Sequence, residues 1–239
     1  MDEKKHARFE GRLVFVGFGS IGQGTLPLIL RHIDMPRERI TILTGDERGR
    51  DEAAHYGIKF VVQPLTRDNY RSLLDPLLAK GDFLLNLSVD VSSVALIEFC
   101  YEKGAMYLDT CIEPWLGGYT DPTVSASHRS NYGLREDVLS LRAKYPNGGP
   151  TVIPTHGANP GLVSHFVKHA LLDISAGLGK RIDAPATRED WAALAHGLGV
   201  KVIHIAERDS QVPDPRKVPG EFVNTWSVEG FVGEGCQPS

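Results

Sequence analysis

The glycine-rich segment near the amino terminus constrains the fold of this chain more than any other feature. Its residues, Gly17-Phe18-Gly19-Ser20-Ile21-Gly22, form a G-x-G-x-x-G pattern between the apolar run 13–16 and an apolar-periodic stretch over 21–33. When this pattern lies between a strand and a helix, the first glycine permits a tight turn and the second lets the backbone approach a pyrophosphate. The third lets the helix pack closely on the strand. The pattern therefore predicts a site for a dinucleotide.

The residues that follow the first two predicted strands indicate which dinucleotide is bound. The helix that opens at Ser20 and Ile21 should offer unpaired backbone N–H groups to the phosphates. A ribose-binding acid is expected at the end of the second strand, about 20 residues further on. There Asp46 lies slightly beyond the ideal position, and Arg48 leaves a 2′-phosphate possible. The segment favours NAD over NADP and leaves NADP open.

Composition and charge exclude several classes of function. The 239 residues carry a formal net charge of −4, which argues against a general nucleic-acid-binding protein because no basic stripe is available for phosphates. No apolar run of about 18 residues and no secretory signal occur, so no membrane span is predicted.

Cys100, Cys111 and Cys236 are far apart and predict reduced thiols in a cytoplasmic protein. His165 and His169 are spaced i, i+4 but have no third ligand, so no metal site is expected.

Strand-like and helical segments alternate through the first part of the chain. This alternation predicts an α/β fold, a Rossmann-type doubly wound parallel sheet, followed by the start of an α+β substrate domain. We assign 1–160 to the NAD-binding domain and 161–239 to the beginning of the substrate domain. The predicted strands are 13–16, 40–43, 58–62, 83–87, 106–108 and 151–155, and the main helices are 21–32, 47–56, 70–78, 91–103 and 132–144.

The second part of the chain predicts few further elements. Asn159 suits the N-cap, and Pro160 the first position, of a helix that runs to about residue 172. Residues 187–190 resemble a capping box before a short helix, and 201–207 and 222–228 are predicted to be strands. Two strands and a helix are too few to bury the face of a sheet, so we expect the sequence to be a piece of a longer protein.

Polar side chains follow two of the predicted strands at the edge where ligands of such sheets bind. Asn86, Ser88 and Asp90 follow the strand 83–87 and are candidates for contact with cofactor or substrate. Asp90 is equally suited to be the N-cap of the helix 91–103, and it can serve both purposes. Glu113 follows the next strand and adds another acid at this edge.

A tryptophan among carboxylates near the carboxyl terminus has two interpretations. The ring of Trp226 attracts a cation with about 0.5–2 kcal/mol, and nearby carboxylates such as Glu207 and Glu234 can hold ammonium groups. This combination suits a small polyammonium ion. The alternative is a strand with a core tryptophan and solvated acids, and composition alone does not decide between the two.

Together these motifs resemble those of the bacterial homospermidine synthases, a family with a saccharopine-dehydrogenase-like fold. The similarity runs from about Arg12 to the last residue, and the Trp226 block and the Glu113-Pro114-Trp115 segment make it specific. Because family members continue beyond this length, the resemblance implies an amino-terminal portion. The matching segments are Gly17-Phe18-Gly19-Ser20-Ile21-Gly22, Asn86-Leu87-Ser88-Val89-Asp90, Glu113-Pro114-Trp115, Gly157-Ala158-Asn159-Pro160-Gly161, His204-Ile205-Ala206-Glu207-Arg208-Asp209 and Asn224-Thr225-Trp226-Ser227-Val228-Glu229-Gly230-Phe231.

The resemblance implies that two putrescine molecules are converted into homospermidine and ammonia, with NAD as a recycled prosthetic group, in a homodimer. Trp226 would stabilise cationic amine intermediates, and Asn159 would lie beside the nicotinamide and substrate. The carboxylates would hold ammonium groups or relay protons, and which of them is the general base stays open. They are Asp90, Glu113, Glu207 and Glu234.

Two other functions stay open at this point. A saccharopine- or carboxynorspermidine-dehydrogenase-like oxidoreductase would recognise an amino-acid carboxylate, and it should therefore carry a basic cluster near the nicotinamide. The sequence shows the opposite, a tryptophan with acids. A nucleotide-binding module without turnover is the other alternative, because an incomplete substrate domain could lose the geometry that catalysis needs.

Overall fold

The computed structural model describes residues 4–180, 182–208, 210, 214–224 and 228–235. Its strands are β1 (Ala7–Arg8), β2 (Leu13–Val16), β3 (Ile33–Asp34), β4 (Ile40–Thr44), β5 (Lys59–Val62), β6 (Phe83–Asn86), β7 (Met106–Asp109) and β8 (Val152–Ile153). Its α-helices are α1 (Ser20–His32), α2 (Arg50–His55), α3 (Tyr70–Leu74), α4 (Ser93–Lys103), α5 (Asn131–Lys144), α6 (Leu162–Gly177), α7 (Arg188–Gly197) and α8 (Val228–Gly235). The short 3₁₀ helices are Arg37–Arg39, Gly118–Thr120 and Ala126–Arg129.

Six strands form one parallel sheet in the order β5-β4-β2-β6-β7-β8. Counted by their place in the chain, these strands lie in the order 3-2-1-4-5-6, which is the order of doubly wound dinucleotide-binding sheets. The order reverses between β2 and β6, and ligands of such sheets bind outside the carboxyl ends of the strands at this point. The predicted Rossmann-type fold is confirmed, whereas the short parallel pair of β1 and β3 was not expected.

The central strand β2 explains why its sequence is apolar throughout. Val14 and Val16 pack in a core cluster with residues of α3, α4 and α5, whereas Leu13 and Phe15 pack in a second cluster with residues of α1 and α2. All four side chains are at most 5% exposed. A parallel strand covered by helices on both faces loses the alternation of apolar and polar residues that an exposed face would impose.

Helix α4 fixes the loop that follows β6. The hydroxyl of Ser92 accepts a hydrogen bond from the N–H of Ala95 (3.3 Å), and Gly104, with φ of 71°, ends the helix. Ser92 is therefore the N-cap, and the prediction that Asp90 caps this helix is wrong. Asp90 lies two residues earlier with φ of 61°, a left-handed conformation that is uncommon outside glycine.

Residues 156–212 cluster into a compact unit separate from the one formed by 1–155 and 213–239. In this unit the N–H of Gly157 donates to the carbonyl of Pro160 (2.8 Å), and the N–H of Leu162 donates to the carbonyl of Gly157 (2.8 Å). This turn ends before the helix begins, so the N-cap of α6 is Gly161. The predictions that Asn159 caps the helix and that Pro160 is its first residue are wrong.

The carboxyl-terminal part departs from its predicted secondary structure. The capping box of Thr187 and Asp190 at the start of α7 is confirmed. Residues 201–208 form no strand, and 222–224 precede α8, so the predicted strands 201–207 and 222–228 are wrong wherever the structure describes them. The α+β character expected there is therefore not present in the described residues, and the domain assignment 1–160 and 161–239 stays a prediction. Within the described part of the chain, no helix is long and apolar enough to cross a membrane.

Candidate functional site

The glycine turn brings the ends of three neighbouring strands together. Gly17 follows β2 with φ of 83°, and its N–H donates to the carbonyl of Leu43 on β4 (2.9 Å). A Cβ atom at position 17 would lie 2.8 Å from both the Cα and the N of Ser88, beyond β6. Only glycine fits this position, because the conformation is left-handed and the neighbouring atoms belong to the backbone.

The other two glycines of the turn differ in what surrounds them. A Cβ at Gly22 would lie 2.9 Å from the ring of Phe18, so Gly22 permits close packing within the turn itself. A Cβ at Gly19 would meet no atom within 4 Å. Gly19 is also the N-cap of α1 and offers no side chain to the first turn, which contains no acidic residue. The open space at this uncapped helix end fits a pyrophosphate.

A cavity of about 1280 Å³ lies at the carboxyl edge of the sheet, beside this turn. Gly17, Gly45, Ser88 and Asp90 line it from the strand ends, and Trp115 lines it from the segment 114–141. Small-molecule pockets commonly measure about 300–1,000 Å³. The cavity is therefore large enough for a dinucleotide, and its position at the switch point is where the fold places one.

The candidate ribose acid is engaged by a neighbouring arginine. Asp46 accepts hydrogen bonds from the backbone N–H of Arg48 (2.9 Å) and from its guanidinium (2.6 and 2.9 Å). The side-chain hydrogen bond of Arg48 lowers the pKa of Asp46. Asp46 is thus held as a carboxylate next to the end of β4. A contact with ribose would share or replace the bonds to Arg48, and it stays a prediction.

The side chain of Asn86 is buried at the carboxyl edge of the sheet. It is 2% exposed and donates to the hydroxyl of Tyr107 (3.1 Å). Its carbonyl oxygen accepts from the hydroxyl of Ser88 (2.6 Å). The amide therefore lies beneath the edge and orients Ser88, which itself lines the cavity. The cofactor contacts of Asn86 and Ser88 stay predictions.

A buried carboxylate at the end of β7 was given no role by the sequence. Asp109 is 0% exposed and accepts hydrogen bonds from the hydroxyl of Tyr107 (2.7 Å) and from the N–H of Thr155. Burial raises the pKa of Asp109, against the opposing effect of its hydrogen-bond donors. Burial is also the main cause that raises the pKa of Tyr107. The only sequence signal is an acid at a strand end, which does not distinguish a ligand contact from a buried partner.

Asp90 was predicted to bind the substrate, and it lines the cavity. Partial burial raises the pKa of Asp90, and its carboxylate has no hydrogen-bond partner among the described residues. Its backbone carbonyl accepts from the N–H of Leu116 (3.1 Å), which ties the loop after β6 to the loop after β7. An unpaired carboxylate in a partly desolvated cavity is suited to a cationic ligand.

Glu113 is held through its backbone. Its N–H donates to the hydroxyl of Ser93 (3.1 Å), and its carbonyl accepts from the N–H of Ser93 (2.9 Å). These bonds fix the loop after β7 on the first turn of α4. Trp115 follows at once and packs against Tyr70, with ring centroids 5.3 Å apart. A substrate contact of Glu113 stays a prediction.

The other predicted site residues lie in the separate unit 156–212 or have side chains that the structure does not describe. Asn159 and Glu207 lie exposed in the separate unit 156–212. Trp226 lies outside the described residues, and Glu234 belongs to α8 but its side chain is not described. The roles of these four residues stay predictions. Among the described residues, no group of three or more His, Cys, Asp or Glu side chains is arranged to hold a metal ion.

Sequence reasoning missed two arginines that line the cavity, Arg67 and Arg129. Arg129 donates to the carbonyl of Tyr119 (3.1 Å), and its buried Nε has no hydrogen-bond partner among the described residues. Hydrogen bonds from Thr123 lower the pKa of Asp121, and the charges of both arginines act in the same direction. Arg67 lies between β5 and α3, and Arg129 is the last residue of the 3₁₀ helix Ala126–Arg129. The sequence of neither segment indicated a ligand, so only the fold reveals their position.

Two curated relatives match almost the whole chain. Homospermidine synthase of Blastochloris viridis is 52% identical over 235 residues, which is 97% of this chain and 49% of that protein. Homospermidine synthase of Mesorhizobium japonicum is 47% identical over 98% of this chain and 49% of that protein. The resemblance predicted from the motifs is confirmed, and the chain spans about half the length of the curated relatives it matches.

A solved structure and a family model agree with this assignment. The crystal structure of homospermidine synthase from Legionella pneumophila in complex with NAD is 44% identical, with a TM-score of 0.83, and the match covers 95% of this chain and 47% of that chain. The model of the saccharopine dehydrogenase NADP binding domain matches residues 13–153, the segment that contains the glycine turn, the sheet and the cavity. This match extends over more than half of the sequence, and the chain therefore belongs to the saccharopine dehydrogenase NADP-binding domain family.

Proposed function

We propose that this chain supplies the NAD-binding part of a homospermidine synthase, which converts two putrescines into homospermidine and ammonia. The observation that carries the proposal is the 52% identity to a homospermidine synthase over 97% of this chain. NAD is the proposed cofactor because the related Legionella pneumophila structure is a complex with NAD.

The residues of the glycine turn fit this cofactor. Gly17 and Gly19 would admit the pyrophosphate, the first turn of α1 would donate N–H groups to it, and Ser88 and Asp46 would contact the nucleosides. NAD, when bound, would supply reversible hydride transfer at the carbon beside an amine of putrescine. The second putrescine displaces ammonia at that carbon, so the reaction has no net redox change.

An acidic side chain in the cavity wall supports a diamine as the substrate. Putrescine is a dication near neutral pH, and the carboxylate of Asp90 is unpaired in the cavity wall. We further propose that Glu113, Glu207 and Glu234 hold ammonium groups or move protons, and that Trp226 stabilises cationic intermediates through its ring. Asn159 would lie beside the nicotinamide.

One observation favours a second candidate, a saccharopine- or carboxynorspermidine-dehydrogenase-like oxidoreductase. Recognition of an amino-acid carboxylate needs a basic cluster, and Arg67 and Arg129 line the cavity. The carboxylate of Asp121 interacts electrostatically with both arginines, and its negative charge reduces their attraction for an anion. A nucleotide-binding module without turnover stays the third candidate, because the chain spans about half the length of its relatives.

Product counting separates these candidates. The protein is incubated with putrescine and substoichiometric NAD, and homospermidine, ammonia and NADH are quantified. Homospermidine in molar excess over NAD, without accumulation of NADH, supports the synthase. NADH formed in proportion to oxidised substrate supports a dehydrogenase, and NAD binding without any product supports the module.

Assembly and location extend the proposal. We propose a homodimer because the family resemblance implies one, and sedimentation of the purified protein tests it. A cytoplasmic location agrees with the sequence-based expectation of reduced thiols. No nucleic-acid or membrane partner is proposed.

A further inference from the structure

The carboxylate of Asp109 is buried without a basic partner. It is 0% exposed, and within the described ranges no Lys, Arg or His side chain forms an ion pair with it. Its hydrogen-bond donors are neutral: the hydroxyl of Tyr107 at 2.7 Å, the N–H of Thr155 and the side chain of Ser93. Apolar side chains would fill such a volume at a lower cost in free energy. The polar arrangement therefore needs an explanation beyond packing.

One branch of these hydrogen bonds leads to the glycine turn. The hydroxyl of Tyr107 accepts from the side-chain amide of Asn86 (3.1 Å), whose oxygen accepts from the hydroxyl of Ser88 (2.6 Å). Ser88 in turn lies against Gly17, where a Cβ would be 2.8 Å from its Cα. The direction of the Ser88 hydroxyl is therefore fixed from Asp109 through two buried side chains.

The other branch leads to the point where the chain leaves the sheet. Thr155 has φ of 60°, a left-handed conformation that is strained for a β-branched residue. Its N–H is held by Asp109, 46 residues earlier in the chain. The next residue, at position 156, begins the separate compact unit. Asp109 thus holds a strained residue at the boundary between the two units.

We propose that Asp109 and Tyr107 are positioning residues, which fix the Ser88 hydroxyl at the nucleotide turn and the Thr155 backbone at the exit from the sheet. This proposal deepens the proposed function and rests on it for its catalytic consequence. Apolar packing could stabilise the sheet equally well, but it could not set the direction of a hydroxyl or of a backbone N–H. Small errors in such directions reduce turnover more than they reduce binding of the substrate.

The test removes one hydroxyl. Tyr107→Phe should lower kcat at saturating NAD and putrescine by about tenfold or more, while KM for putrescine changes by less than about twofold. Tyr101→Phe is the matched control, because Tyr101 is partly buried and stacks on Tyr145 with ring centroids 4.2 Å apart. It should leave kcat unchanged. Equal kcat values for Tyr107→Phe and wild type would overturn the proposal.

A second pair of variants separates positioning from general stability. Asp109→Asn keeps the volume of the side chain. It can place an amide N–H, which is a donor, at the position of the carboxylate oxygen that accepts from the hydroxyl of Tyr107. Asp82→Asn removes another buried acid, one that accepts from the backbone N–H of Arg12 (2.7 Å) and lies before the amino end of β6. Asp82→Asn should lower the unfolding temperature without lowering kcat of the folded protein, whereas Asp109→Asn should lower kcat. A loss of kcat that follows the unfolding temperature in both variants would contradict positioning.

Two readouts do not depend on turnover. Tyr107→Phe should shift the backbone N–H resonance of Thr155 and raise the dissociation constant of NAD, and Tyr101→Phe should change neither. If wild type forms no homospermidine, the proposed function fails while these readouts still test the positioning. If both readouts are unchanged in Tyr107→Phe, the positioning fails whatever the activity of wild type.

Discussion

The Cα atom of Ser88 lies 2.8 Å from the place that a Cβ atom would occupy on Gly17. This backbone contact joins the ends of β2 and β6, the two strands between which the order of the sheet reverses. The glycine turn is consequently shaped by the strand beside it as well as by its own sequence. A ligand that enters at the reversal point meets the turn, Ser88 and the first turn of α1 together.

Two glycines on or near α1 provide a matched pair of substitutions. A Cβ at Gly19 or at Gly24 would meet no atom within 4 Å, so both alanine variants should fold. Gly24→Ala lies inside the helix and should stabilise it by about 0.5–1 kcal/mol. Gly19→Ala should weaken NAD binding by about tenfold or more, because its methyl group would occupy the space of the pyrophosphate. Calorimetric titration checks both, and equal NAD affinities of the two variants would count against the phosphate site.

The Asp46–Arg48 pair should control the choice of dinucleotide. Asp46→Ser removes a carboxylate that repels a 2′-phosphate, and it releases the guanidinium of Arg48 to bind one. The ratio of NAD to NADP affinity should fall by about tenfold, or about 1.4 kcal/mol. Glu47→Gln is the control, because Glu47 is an exposed acid that pairs with Arg50. A similar fall in both variants, measured at one ionic strength, would show that surface charge alone is responsible.

Asp109 should make stability depend on pH in a defined direction. Burial raises its pKa in the folded protein above the ordinary value of 3.8. Its contribution is therefore fully present below about pH 4 and is lost as pH rises through the raised pKa. A tenfold difference in acid dissociation constant between the folded and unfolded states corresponds to about 1.4 kcal/mol of stability. Urea unfolding should show wild type losing stability relative to Asp109→Asn as pH rises from 4 to 7, and a constant difference would contradict this.

Cys100 should be unreactive in the native protein. Its side chain is 0% exposed, and burial raises the pKa of its thiol to about 12. Cys111 is only partly buried. Iodoacetamide at pH 8 should modify Cys111 and spare Cys100 until urea unfolds the chain. Peptide mass spectrometry quantifies the alkylation of each cysteine. Equal alkylation rates of the two cysteines in the native protein would show that the core around Cys100 opens readily.

Trp226 should matter for turnover and little for the cofactor. Loss of a cation–π contact worth up to about 2 kcal/mol predicts that Trp226→Ala lowers kcat by about 10- to 30-fold. Its NAD dissociation constant should stay within about twofold. Trp191→Ala is the control, since Trp191 lies on α7 beside Lys168. A comparable loss of NAD binding and turnover in Trp226→Ala would assign this residue to the fold instead.

The sequence predicts those features whose physical cause is local. The apolar run of β2 and the glycines after it specify a buried parallel strand and a phosphate turn, and both are present. The N-cap of α4 lies at Ser92, although Asp90 was equally suited to be the cap or a ligand contact, because both side chains can cap a helix and only the fold selects one. The segment 201–207 has the composition of a strand but forms none, since a strand requires a pairing partner that local sequence does not reveal.

The features of the site that sequence reasoning missed depend on contacts between distant residues. Asp109 and Thr155 are 46 positions apart, and no local pattern connects them. Arg67 and Arg129 come from separate loops and line one cavity only because of the order of the strands. Asn86 was expected to contact the cofactor because it ends a strand at the ligand edge. Its burial beneath Ser88 follows from Tyr107 on the adjacent strand.

The proposed function requires NAD to stay bound, so that the hydride removed from putrescine is the one returned to the imine. The most direct measurement uses putrescine fully deuterated on the carbons beside its amines, with excess unlabelled NADH in solution, and determines the mass of the product. If NAD stays bound, homospermidine should form in excess over bound NAD, with all of its deuterium retained. Homospermidine that has exchanged deuterium for hydrogen, or NADH that accumulates without homospermidine, would contradict it.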